Sequence, residues 1–228
     1  MKTTKSVRRA GFSLLEVIVV IAILSIVAGA AVPMALKGLT SKARRATQAE
    51  LDDLSAAVVE YFRDTLTPPT DLAALEVAPA PPVPGWSGPY LPGAVADSIT
   101  GTSGYQVDAW SRPYAFTVSG DLVTITSRAE DALSGTTDDL SIRVSLTFVR
   151  REHTLRTLDI VNRAIGAYNA ANGMDPFLPA NYTSLLNTLV ADGYLPTATG
   201  YQTDAWGAAF VEDPPGFAPV VRVTSSNL

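Results

Sequence analysis

The chain predicts an α+β fold, and three observations carry that reading. A long apolar run passes into a one-sided helical pattern, short alternating segments follow it, and the second half of the chain repeats motifs of the first. The expected architecture is a long N-terminal helix, apolar in its first half and amphipathic in its second. That helix packs on a small antiparallel sheet, and a second small α+β unit resembling the first comes after it.

From Phe12 to Ala35 the only charged side chain is Glu16, and Val17 to Val32 is apolar apart from Ser25. At about 1.5 Å per residue such a helix reaches roughly 30 Å, the thickness of a bilayer's hydrocarbon core. A secretory signal peptide has a shorter apolar region of about 7–15 residues, so a retained anchor over residues 12–35 is the better reading. Lys2, Lys5, Arg8 and Arg9 precede the run, which puts the leader in the cytoplasm and the rest of the chain outside. Glu16 is out of place in an ordinary anchor, because an acidic residue costs about 2.5 to 3.5 kcal/mol at the centre of a spanning helix and less towards its ends. It calls for a cationic partner. A cut between Gly11 and Phe12 would create one, an α-amino group with a pKa of about 8, able to pair with Glu16 of its own helix or of a neighbour.

Gly11, Phe12 and Glu16, behind their basic leader, resemble the type IV prepilin and pseudopilin signature. The resemblance implies cleavage after Gly11 by a prepilin peptidase, N-methylation of Phe12 and an assembly contact through Glu16. It makes residues 1–11 a leader that is removed.

After Pro33, which removes one helical donor, Leu51, Leu54, Val58 and Phe62 recur at helical spacing, so the helix is expected to run to about Phe62 or Asp64. Thr67-Pro68-Pro69-Thr70 ends it, with Thr70 placed to cap a short helix through Leu75. Strands are expected at Tyr114 to Val118, Leu122 to Thr126 and Leu140 to Phe148, the last with Leu140, Ile142, Val144, Leu146 and Phe148 on one face. A first globular unit thus occupies 36–148.

Residues 149–228 form the second unit. Leu155, Leu158, Val161, Ile165 and Tyr168 line one face of a helix ended by Asn172-Gly173, and Asn181 or Thr183 starts a short helix to about Asp192. Gly200-Tyr201-Gln202-Thr203-Asp204-Ala205-Trp206 then repeats Gly104-Tyr105-Gln106-Val107-Asp108-Ala109-Trp110, with Phe210 matched to Phe116. The unit reads as a partial internal duplication. Its strand material is confined to Val211 and Val220 to Val223, so its sheet is completed by the first copy or the unit packs directly on that copy.

Losing the four leader cations from 17 basic residues, against 22 acidic ones, takes the formal charge from −5 to −9. An acidic exported part is a poor candidate for sequence-independent nucleic-acid binding, which relies on basic surface. No cysteine is present, so stability rests on packing or on a bound ion.

The strongest polar cluster is the segment from Ser127 to Leu140, with Glu130, Asp131, Asp138 and Asp139. Calcium takes six to eight oxygen ligands, and an acidic loop that turns back on itself suits it, although EF-hand spacing is absent. The segment resembles the calcium loop of major pseudopilins of type II secretion, with Ala129 and Ala132 where the family has glycines. That resemblance implies side-chain ligands from Asp131, Asp138 and Asp139 and carbonyls near Arg128 and Leu133. The alternative is a solvated acidic turn. Gly85-Trp86-Ser87-Gly88-Pro89-Tyr90-Leu91 and Asp108-Ala109-Trp110-Ser111-Arg112-Pro113-Tyr114 resemble the same family, with Ala109 in place of a proline. Trp86, Trp110 and Trp206 read as hydrophobic anchors, with a sugar or peptide site as the rival.

His153 is the only histidine and reads as a solvated helix residue, so zinc and Cys/His nucleophile chemistry have no residue set. With no phosphate loop and no G-x-S-x-G elbow either, no enzyme is expected. The resemblance implies a structural subunit of a type II secretion pseudopilus, in the inner membrane and then in a filament. Its partners would be further copies, other pseudopilins, the prepilin peptidase, an inner-membrane assembly platform and a secretion ATPase. The alternatives are a type IV pilin or minor pilin of an adhesion or DNA-uptake filament, and a membrane-tethered binding module that forms no filament.

Overall fold

The computed structural model describes residues 14–91, 104–172, 178–179, 181–216 and 220–228, with the backbone alone for 30–33, 35 and 36. The leader, Gly11 and Phe12 lie outside the described residues, as does Gly173.

Helix α1 spans Leu14–Thr65, 52 residues, and continues through Pro33. Its first turns leave Leu14, Leu15, Ile18, Ile21, Ile23, Leu24, Ile26 and Val27 exposed. An apolar surface of this extent is a contact surface for lipid or for other helices. Among the described residues no helix is long and apolar enough to cross a membrane. The described side chains of the run stop at Gly29, while the sequence carries it on to Val32.

The second half of α1 is one-sided. Leu51, Leu54, Ala57, Val58, Tyr61 and Phe62 are buried on the face that the spacing predicts. They meet a three-stranded antiparallel sheet, β1 (Ala115–Ser119), β2 (Leu122–Ser127) and β3 (Leu140–Ser145), in that spatial order. Val123 and Ile125 of β2 and Leu140 and Val144 of β3 complete the core with Leu72, Leu75, Leu91, Leu146 and Val149.

Three boundaries differ from expectation. The short helix is a 3-10 turn, Ala73–Leu75, and Asp71 rather than Thr70 serves its start, its carboxylate accepting from Ala74 N at 2.9 Å. Strand β3 stops at Ser145, because Leu146 O accepts from Val149 N and Arg150 N and so opens a helix. Phe148 therefore leaves the strand face and is 49% exposed.

That helix, α2 (Thr147–Asn172), starts earlier than expected and carries the chain out of the first core into a second. Thr154, Thr157, Leu158, Val161, Ala164, Ile165 and Tyr168 form its buried face, while Leu155 is exposed. Helix α3 (Tyr182–Ala191) begins at Asn181, whose side chain accepts from Ser184 N at 3.0 Å, as an N-cap should. Strands β4 (Val211–Asp213) and β5 (Arg222–Thr224) pair antiparallel as a separate sheet, so the second unit does not complete its sheet with strands of the first. Leu178, Leu185, Leu186, Leu189, Phe210, Val220 and Val223 pack with α2 as its own core.

Candidate functional site

Glu16 sits in the first turn of α1, exposed among exposed apolar neighbours. A carboxylate near a helix N-terminus is favoured by the dipole, and among the described side chains from Leu14 to Gly29 it is the one charge on an exposed apolar surface. The processing residues Gly11 and Phe12 lie outside the described residues.

The acidic loop between β2 and β3 brings Asp131, Asp138 and Asp139 together, each with a carboxylate oxygen within 4.8 Å of the others. Its backbone is held by its own carboxylates. Asp131 accepts from Leu133 N at 2.8 Å, Asp139 from Gly135 N at 2.7 Å, and Asp138 from the Thr136 hydroxyl at 2.7 Å. The hydroxyl of Thr136 holds the Asp138 carboxyl below the usual range. Ala129 and Ala132 adopt φ of +44° and +63°, the left-handed conformation that glycine takes at least cost. Both alanines therefore hold the turn at a cost in backbone strain. Arg112 donates to Ala129 O, and Arg44 of α1 donates to Asp138 O at 3.4 Å. The loop is tied at both ends to the rest of the unit. Three converging carboxylates could supply oxygen ligands to a hard cation, as a solvated acidic turn could also present them. Leu133 O already accepts from Thr136 Oγ1 at 3.3 Å.

The two motifs ending in Asp-Ala-Trp fold into the same hydrogen-bonded hub. Asp108 Oδ1 accepts from Trp110 N and Arg112 N at 2.9 and 3.0 Å, and Asp204 Oδ1 from Trp206 N and Ala208 N, both at 2.9 Å. The other oxygen accepts a serine hydroxyl in each, Ser127 at 2.5 Å and Ser225 at 2.6 Å. Each hub docks on its helix through a threonine, Ala109 N to Thr47 Oγ1 at 3.2 Å and Ala205 N to Thr154 Oγ1 at 3.1 Å. Each also has an edge-on tyrosine pair, Tyr61 with Tyr90 at 5.5 Å and Tyr168 with Tyr194 at 5.4 Å. The spacing from Thr47 to Tyr61 equals that from Thr154 to Tyr168. Bridges pair Val107 with Pro113 and Thr203 with Ala209, so the counterpart of Phe210 is Tyr114 and not Phe116. Trp86 and Trp110 pack against the first core, and Trp86 Nε1 donates to Ala74 O at 3.1 Å, which is anchoring geometry.

Arg150 at the start of α2 was missed by sequence reasoning. It pairs with Asp121 of the β1–β2 turn at 2.7 Å, lies 4.8 Å from the Phe62 ring centroid and donates to Ala205 O. One side chain thus touches α1, the first sheet and the second hub. Beside it His153, expected in solvent, is half-buried with Nδ1 unpaired. Burial, reinforced by Arg156, pushes its pKa down.

No curated protein and no solved structure matches the chain. A family model described as the prokaryotic N-terminal methylation motif matches residues 7–32, which hold the end of the leader, Gly11, Phe12, Glu16 and the start of α1. The chain carries the N-terminal signature of a type IV pilin-like, membrane-anchored prepilin.

Proposed function

We propose that the chain is a structural subunit of a type II secretion pseudopilus, with no catalytic role. Prepilin peptidase trims it between Gly11 and Phe12, and residues 12–35 hold it in the inner membrane with the leader cytoplasmic and both globular units periplasmic. An assembly platform driven by the secretion ATPase draws it, with other pseudopilins, into a helical filament. The observation that carries this reading is the methylation motif on a 52-residue helix whose exposed apolar half bears one carboxylate, Glu16. A carboxylate entering a helix bundle of low dielectric is satisfied where it meets a positive amine, which favours one axial offset between subunits. Sheared filaments yielding a mature chain that begins with N-methyl-Phe12 are the expected result. Membranes that keep an intact leader and shed no filament would support the tethered binding module instead. Glu16→Leu is expected to insert and be processed but to lower filament yield, and undiminished yield would refute the pairing.

Two parts of the reading concern the globular units. The matched hubs and strand registers support an internal duplication in which the second copy has kept the helix, the short helix, the Asp hub and two strands. The converging oxygens support calcium in the acidic loop, held by Asp131, Asp138 and Asp139 with carbonyls from the Arg128 and Leu133 region. Bound calcium would supply charge neutralisation that pins this loop to the sheet. Calorimetric titration of the full chain in detergent is expected to give heat and a chelator-sensitive rise in melting temperature.

A further inference from the structure

The two sheets share a register and differ in what covers one edge. In the first, the two-residue turn Gly120-Asp121 closes on the pair Ser119 and Leu122. Leu122, Thr124 and Thr126 therefore bond β1, while Val123, Ile125 and Ser127 turn their main-chain groups to β3. In the second, Val211 opposes Thr224 and Asp213 opposes Arg222, as Ala115 opposes Thr126 and Thr117 opposes Thr124. Val223 is the counterpart of Ile125. Its N–H and C=O face away from β4, towards the place that β3 occupies in the first unit.

Asn162 of α2 fills that place. Its Oδ1 accepts from Val223 N at 2.7 Å and its Nδ2 donates to Val223 O at 3.1 Å. Two turns on, Asn169 Nδ2 donates to Val220 O at 3.1 Å, and its Oδ1 is buried with no partner. At the α1 position matching Asn162 stands Ser55, whose hydroxyl turns back to Asp52 O at 2.8 Å while β3 covers β2. A carboxamide carries the same donor and acceptor as a peptide unit, so at Val223 it ends the ladder as a strand would and leaves that residue's main chain with nothing to offer another chain.

We propose that Asn162 is a strand surrogate that keeps the edge of β5 closed, and that the partner it excludes is the Leu140–Ser145 strand of a second copy. That strand fits because β5 repeats the register of β2, so Ile142 would fall beside Val223 as it does beside Ile125. Edge exchange between copies is the hazard so avoided.

The test is hydrogen exchange on the full chain in detergent. Asn162→Ala and Asn162→Asp are compared with the parent, alone and with a synthetic peptide of residues 140–147. In Asn162→Ala, exchange across 222–225 is expected to rise roughly tenfold or more while Leu158 to Tyr168 keep their protection. The peptide should restore protection there in this variant and bind nothing at β5 in the parent. Asn162→Asp keeps the acceptor without the donor and should change less. Unchanged exchange at Val223, or an equal loss across α2, α3 and both strands in both variants, overturns the surrogate role. An opened edge that ignores the peptide overturns the choice of partner. These outcomes do not depend on whether the chain enters a filament.

Discussion

Asp108 and Asp204 are 3% and 4% exposed, and among the described residues neither has a basic side chain on its carboxylate. They survive burial because main-chain amides and a serine hydroxyl surround the charge. At Asp204 burial pushes the pKa up, but Ser225, Asn227 and the amides of Ala208 and Trp206 outweigh it and hold the carboxyl low. Hydrogen bonds to a charged group are worth about 1.5–3 kcal/mol, and the donors left behind would be buried as well. Asp204→Ala is expected to cost the second unit about 3 kcal/mol in urea unfolding, with the first unit less affected. The pH dependence has a definite sign. A carboxyl with a depressed folded pKa contributes fully above the unfolded value of about 3.9 and loses that contribution as pH falls through the lowered folded value. The second unit should therefore loosen below about pH 4, a loss that Asp204→Ala abolishes when melting is followed against pH.

At the scale of elements, the acidic loop holds two alanines, Ala129 and Ala132, in the left-handed region that suits glycine. A left-handed residue other than glycine costs about 1–2 kcal/mol, and glycine returns part of that gain through a more flexible unfolded chain, about 0.4–1 kcal/mol. Ala129→Gly and Ala132→Gly are each expected to stabilise the first unit by up to about 1 kcal/mol, read as a rise in melting temperature. If calcium occupies the loop, the double variant should also bind it more tightly in titration. The loop's acidic residues were legible in the sequence, whereas the left-handed turns at Ala129 and Ala132 are a property of the folded backbone. Strand β3 and helix α2 make the opposite point. Alternation ran on to Phe148, yet Leu146 N makes the last bond of the ladder, to Asp121 O, while Leu146 O turns to Val149 N and Arg150 N and starts the helix.

Across the whole molecule, two cores are joined by a helix that starts in one and ends in the other, and Arg150 fastens the junction. Its ion pair with Asp121 is partly exposed, at 16% and 23%, so its contribution is discounted from that of a fully buried pair. With the cation–π contact to Phe62 and the bond to Ala205 O, removal should cost about 2 kcal/mol. Arg150→Ala is expected to split one unfolding transition into two and to open the chain to protease near residues 147–153. A single unchanged transition would show that the cores are coupled through α2 alone.

Sequence by itself determined the methylation motif, the long helix with its change from apolar to one-sided, the sheet and the recurrence of the Asp-Ala-Trp segments. These are periodic or local patterns, and they survive without knowledge of what packs against them. Only the tertiary structure decided that Phe210 follows its bridge as Tyr114 follows the first, that His153 is half-buried, that Arg150 touches both units and that Asn162 bonds both main-chain groups of Val223. Each of those depends on partners brought together from distant parts of the chain, where hydrogen-bond geometry, not spacing along the sequence, sets the pairing.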